Sequence, residues 1–281
     1  MRTLFNKTLI LASDIPILLG GRDLGRLQRQ KSPPKNNINR EIIMALQDRD
    51  YMRAGSSVAT DGYDAGLRAH MLRVYNYMCA GLILTGLVAF GIANSQAAVE
   101  LIFFTPLKWI AMLAPLAFIL VLSFGVQKMS FSTLQMVFWA FAAAMGVSMA
   151  SIFLVYTGGS IAKVFFITAG MFAATSLYGY TTKRDLAKMG SFLFMGLIGL
   201  LIAMIVNIFT QSSAMQFAIS ILGVLIFTGL TAWDTQRIKE QYHEGHGYET
   251  AGKMAIMGAV ALYLDFVNMF QFLLALLGNR E

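Results

Sequence analysis

Charged residues are scarce in this 281-residue chain. Asp, Glu, Lys and Arg make up 13% of it, against 57% hydrophobic residues, whereas a soluble domain carries about a quarter charged residues. With a mean hydropathy of +0.61, that balance argues against a soluble globular enzyme. Cysteine is reduced to Cys79, so an intramolecular disulfide is excluded, and a packing role inside an apolar run is expected. Histidine is also rare, with three residues. His243-Glu244-Gly245-His246 lacks the His-Glu-x-x-His spacing of a zinc protease, and His70 precedes the first apolar run. No glycine-rich phosphate loop is present, and no cofactor is expected. The pI near 9.5 is compatible with nucleic acid or with anionic lipid. The basic residues sit at helix ends and in the amino-terminal tail, which favours lipid and argues against nucleic acid.

What the chain has in abundance is long apolar runs. About 20 apolar residues in a helix cross the hydrocarbon of a bilayer. Seven stretches meet that length: Tyr75–Ala93, Trp109–Val126, Leu134–Ile152, Ile161–Tyr180, Met189–Phe209, Met215–Trp233 and Met254–Leu277. Seven such runs in series, joined by short loops, predict an all-α membrane protein with a seven-helix transmembrane domain over residues 74–279. Small residues at four-residue spacing, at Ala142, Gly146 and Ala150 and again at Gly170 and Ala174, suit close helix contacts.

Residues 1–73 differ in kind. They hold 12 of the 22 Lys and Arg and 7 of the 15 Asp and Glu, and read as a polar, largely cytoplasmic tail. The opening Met1–Gly21 has a superficial likeness to a signal peptide, but Asp14 and Pro16 interrupt its apolar part. The stretch Lys31–Asn37 is polar and Pro-containing, and is not expected to pack. Met44 is an alternative start, with residues 1–43 outside the core. Beyond the tail, a cytoplasmic amino terminus places Lys128, Lys183, Arg184, Lys188, Arg237, Lys239 and Lys253 inside, and Lys108, Lys163 and Arg280 outside. The positive-inside rule favours that orientation, with the carboxyl terminus outside.

Of the eight acids beyond the tail, only Asp234 and Asp265 fall in or at the end of predicted membrane helices. A charge near mid-bilayer costs from about 3 to over 10 kcal/mol, so such residues usually face an interior and serve a function. Thr231 lies on the approximate face of Asp234, and Asn268 follows Asp265 by three residues on the same face. Together they read as a polar path on two adjacent helices. Lys128, at the inner end of the second span, is the nearest expected cation. Two carboxylates held together cannot both ionise cheaply, so they titrate as a coupled pair. Ca²⁺ takes six to eight oxygens. Two carboxylates make only a weak, transient calcium site, as suits a transported ion.

The stretch 153–208, the motif Asp234-Thr235-Gln236-Arg237-Ile238-Lys239 and the motif Leu262-Tyr263-Leu264-Asp265-Phe266-Val267-Asn268 closely resemble the Bax inhibitor family of membrane proteins, in its bacterial form. The resemblance covers about residues 70–279. It implies a seven-helix bundle with the last helix central, in a bacterial inner membrane. It also implies a pH-sensitive calcium leak, with Asp234 and Asp265 as a paired proton sensor. Some members place an arginine latch at the inner end of the second helix; this sequence has Lys128 there, without the bidentate fork of arginine. Some bacterial members instead modulate a membrane-anchored ATP-dependent protease, which makes a regulatory membrane protein the alternative. An intramembrane aspartyl protease would carry Gly-x-Gly-Asp at the second aspartate. Here the residues are Tyr263-Leu264-Asp265, so no enzyme is expected.

Overall fold

The computed structural model describes the backbone of residues 35–280 and side chains from residue 64. The signal-like opening Met1–Gly21 and the first part of the Lys31–Asn37 stretch lie outside the described residues. The described residues up to Val58 fall in one unit and those from Ala59 onward in a second; the first is helical from Lys35 onward.

The helices are α1 (Lys35–Ala93), α2 (Gln96–Phe103), α3 (Leu107–Gly125), α4 (Phe131–Met149), α5 (Ile152–Val155), α6 (Gly158–Thr181), α7 (Ala187–Thr210), α8 (Ser213–Glu240) and α9 (Tyr248–Leu277). Seven spans are long and apolar enough to cross a membrane, with α4 and α5 counted as one. Each overlaps one of the runs read from the sequence. The differences lie at the ends. Helix α1 already runs through residues 64–74 ahead of the apolar run, because polar residues at the aqueous end of a helix do not stop it, whereas hydropathy alone stops at Tyr75. Helix α2 occupies what reads as loop. It starts at Ser95, whose hydroxyl accepts from the Ala98 amide. Ser130, Thr157 and Ser212 cap α4, α6 and α8 in the same way, each satisfying an amide that a helix start leaves unpaired.

Burial sorts the helices. Half of the 30 residues of α9 are buried, whereas α7 buries only Gly190 and Leu200. Helix α9 packs on α8, α6 and α4, while α7 leans chiefly on α8 and α3 on α4. Large apolar residues of α3 and α7, such as Leu113, Phe124, Phe192 and Ile205, are exposed. In water such a surface would be unfavourable, but in hydrocarbon it is the ordinary lipid-facing side.

Close helix contacts rest on single glycines. A Cβ on Gly146 would lie 2.7 Å from the Thr85 carbonyl oxygen and from Val88, so α1 and α4 meet there. Gly170 has the same sequence spacing but faces open space. The glycine that lets α6 approach α8 is Gly179, which abuts the Ala232 backbone.

Candidate functional site

Helices α8 and α9 are antiparallel neighbours whose register sets the site. Ile238 of α8 faces Gly258 of α9, where an added Cβ would lie 3.2 Å from the Ile238 side chain. Asp234 lies four residues back along α8 and Asp265 seven residues on along α9. At 1.5 Å per residue these are about 6 and 10 Å from the common level, so the two aspartates sit within about 5 Å of each other along the axes. Asp234 is 8% exposed and Asp265 4%, and the two carboxyl groups are near enough to act on each other directly. The Asp265 Oδ2 is buried and receives no hydrogen bond from any described donor. A buried acceptor left without a donor costs about 1–3 kcal/mol, more if charged, so Oδ2 is the oxygen of the pair that a donor would relieve.

Successive residues of a helix point 100° apart, and the motif at the end of α8 uses each direction in turn. Asp234 faces Asp265. The Thr235 hydroxyl donates to the Thr231 carbonyl at 2.7 Å and shares a 3.0 Å hydrogen bond with Ser176 of α6, which is bonded to the Tyr75 hydroxyl of α1 at 2.5 Å. The Gln236 amide donates to the Arg184 carbonyl and accepts from the Leu186 amide, both at 2.8 Å, clamping the loop between α6 and α7. Arg237 turns back on Asp234, with Nη1 3.4 Å from Oδ1, and its guanidinium lies 5.2 Å from the centre of the Trp233 ring. Ile238 enters the core, and Lys239 donates to the Tyr180 carbonyl at 2.8 Å. The motif thus fastens α8 to α1, α6, α9 and the α6–α7 loop while holding one carboxyl in the interior.

The α9 motif does the same from the other side. The Tyr263 hydroxyl is bonded at 2.6 Å to Thr85 of α1, which donates at 2.8 Å to the Ala142 carbonyl of α4. Phe266 stacks edge-on with Phe165 and Phe172 of α6. Asp265 is thereby fixed between two anchored turns.

Two of the polar residues expected beside the pair each make a hydrogen bond within their own helix. The Thr231 hydroxyl donates to the Phe227 carbonyl at 2.8 Å, and the Asn268 amide donates to the Leu264 carbonyl at 2.7 Å. Both follow from the helix itself, since the carbonyl four residues back is always within reach of a short donor. Lys128 lies exposed in the turn after α3 and makes no ion pair among the described residues. The cation at the pair is Arg237, one helical turn along α8 from Asp234 and close enough to act electrostatically on both carboxyls. In sequence it reads only as one more basic residue at an inner helix end.

The family model described as "Inhibitor of apoptosis-promoting Bax1" matches residues 67–281, which include both aspartate motifs, nearly all of the first span and the whole of the other six. The chain belongs to the Bax inhibitor family. Among its relatives is an uncharacterized protein of Rickettsia prowazekii, RP147, 48% identical over 219 residues that cover 78% of this chain and 93% of the relative. The inner membrane protein YbhL of Escherichia coli is 47% identical over 220 residues, 77% of this chain and 94% of the relative. An uncharacterized protein of Caulobacter vibrioides is 43% identical over 246 residues, 83% of this chain and 98% of the relative. This Bax inhibitor family chain is therefore an integral membrane protein, in agreement with its seven apolar helices.

Proposed function

We propose that this protein is a proton-gated leak pathway for cations, calcium foremost, and that Asp234 and Asp265 are its proton sensor. The observation that carries the reading is the meeting of two buried carboxyls on neighbouring helices, one of whose oxygens has no donor. One proton shared by the pair supplies the missing donor and removes one of two facing charges. When that proton leaves, two carboxylates repel each other across the α8–α9 contact, and the half-exposed Arg237 offsets this only in part. The separated carboxylates then offer a cation a few oxygens, a weak site that it can leave again. The pair does no covalent chemistry in this reading, so the protein is a passive pathway and no enzyme.

We also infer the orientation. The basic residues around the α6–α7 and α8–α9 loops face the cytoplasm and Arg280 faces outside, in a bacterial plasma membrane such as the one for which the E. coli relative is named. The test is calcium efflux from liposomes that contain only this protein, followed against pH. Efflux that changes with pH supports the proposal. Efflux no greater than from empty liposomes at any pH contradicts it and turns attention to a regulatory role.

A further inference from the structure

A second site stands apart from the carboxyl pair. Between α1, α4 and the start of α9 runs a groove of about 710 Å³, lined among others by Arg73, Asn76, Tyr77, Gln135, Trp139 and Tyr248. It lies on the outer surface of three membrane spans, so it opens toward lipid. Arg73 is exposed and has no carboxylate within ion-pair distance among the described residues; its guanidinium lies 5.9 Å from the centre of the Tyr248 ring. The nearby Glu249 is already engaged by Lys253 at 2.9 Å. The side-chain amides of Asn76 and Gln135 have no described partner either. Asn76 stands one helical turn from Arg73, so both face the groove from α1, and Gln135 faces them from α4.

The level in the membrane fits a headgroup. Arg73 precedes the apolar run that starts at Tyr75, which is where hydrocarbon gives way to the polar interface. Tyr77, Trp139 and Tyr248 are the amphipathic ring types that gather at that level. Beyond them the groove continues past Ala80 and along Trp139, one turn of α4 deeper than Gln135, where an acyl chain would lie. We propose that this groove binds an anionic phospholipid, its phosphate held by Arg73 with Asn76 and Gln135 as neutral donors and one acyl chain against Trp139. The unneutralised guanidinium selects for net negative charge, and the opening toward hydrocarbon selects for a lipid over a soluble anion. The inference does not depend on calcium transport.

The test uses the full chain in phosphatidylcholine bilayers carrying increasing fractions of brominated phosphatidylglycerol or brominated phosphatidylcholine. Bromine quenches nearby tryptophan, and the Trp139 part is the difference between the parent and Trp139→Phe. One basic residue at an anionic lipid surface is worth about a fivefold preference. Half-quenching of Trp139 is therefore expected at about one-fifth the fraction of brominated phosphatidylglycerol needed for brominated phosphatidylcholine. Arg73→Gln and Gln135→Glu should each bring the two curves together, while Arg73→Lys should keep them apart. Excess soluble glycerol phosphate should not change the curves. Equal curves in the parent overturn the proposal. So does a preference that survives both Arg73→Gln and Gln135→Glu, or one that soluble glycerol phosphate abolishes. Should Trp139→Phe fail to fold, the number of phosphatidylglycerol molecules retained on the parent and on Gln135→Glu in mild detergent, counted by mass spectrometry, decides in its place: one fewer on the variant supports the site, and equal numbers overturn it.

Discussion

Gln236 is the residue whose removal should be most revealing about how the α8 motif works. Its side chain satisfies two backbone groups of the α6–α7 loop, the Arg184 carbonyl and the Leu186 amide, each at 2.8 Å. Gln236 and Leu186 are each 5% exposed, so water replaces little of what is lost at Leu186, whereas the Arg184 carbonyl belongs to an exposed residue. In Gln236→Leu, the stranded amide costs about 1–2 kcal/mol and the carbonyl less. Because 1.4 kcal/mol is tenfold in an equilibrium, hydrogen exchange at the Leu186 amide should speed up about five- to thirtyfold in detergent-solubilised protein. Gln236→Glu keeps the acceptor and loses the donor. It should leave Leu186 protected while loosening the loop at Arg184. Unchanged exchange at Leu186 in Gln236→Leu would refute the clamp, since the amide would then have a partner other than the side chain.

Three further outcomes follow from packing, charge and orientation. Gly179→Leu drives a side chain into the Ala232 backbone and should abolish recovery of monodisperse protein, while Gly170→Leu, facing open space, should be recovered like the parent; size-exclusion profiles after extraction decide. Arg237→Gln removes the cation held against Asp234, so the proton meets less competition and the pH profile of calcium efflux should move to higher pH. The guanidinium is half exposed and solvent-screened, so the shift should stay below about one pH unit; a shift to lower pH would contradict the geometry. A cysteine at position 280 should be labelled only from outside and one at position 243 only from the cytoplasm; labelling of position 280 from the cytoplasm would refute the orientation.

The spans were readable because hydrocarbon thickness sets a length that apolar runs either meet or do not, and the run Met189–Phe209 needs no partner to declare itself. The helical extension of the first span before Tyr75 was not readable in that way, since polar residues at the aqueous end of a helix carry no hydropathy signal. Spacing of small residues located one face of a helix without saying what that face meets. Ala142, Gly146 and Ala150 are buried, Gly170 is not, and the contact that matters on α6 is at Gly179. The two aspartates stood out as rare acids in apolar helices. That they meet depends on the offset between Ile238 and Gly258, which the seven-residue loop after Glu240 sets and no local pattern encodes. Nothing in the sequence singles out Arg237, because a basic residue at an inner helix end has an ordinary reason to be there, and Lys128, which its place at the inner end of the second span picks out, lies in an exposed turn. Thr231 and Asn268 share a side of the helix with the acids, and each donates a hydrogen bond to a carbonyl four residues back.

The central claim is that the Asp234–Asp265 pair senses protons, and the most direct measurement is calcium efflux from liposomes across pH for Asp234→Asn and Asp265→Asn. Asparagine keeps the shape of the side chain and removes the titrating group. Both variants should insert and fold, and both should lose the pH dependence of efflux. Glu244→Gln and Glu249→Gln, which change acids outside the pair, should follow the parent. If both aspartate variants retain the parent's pH profile, the pair is not the sensor.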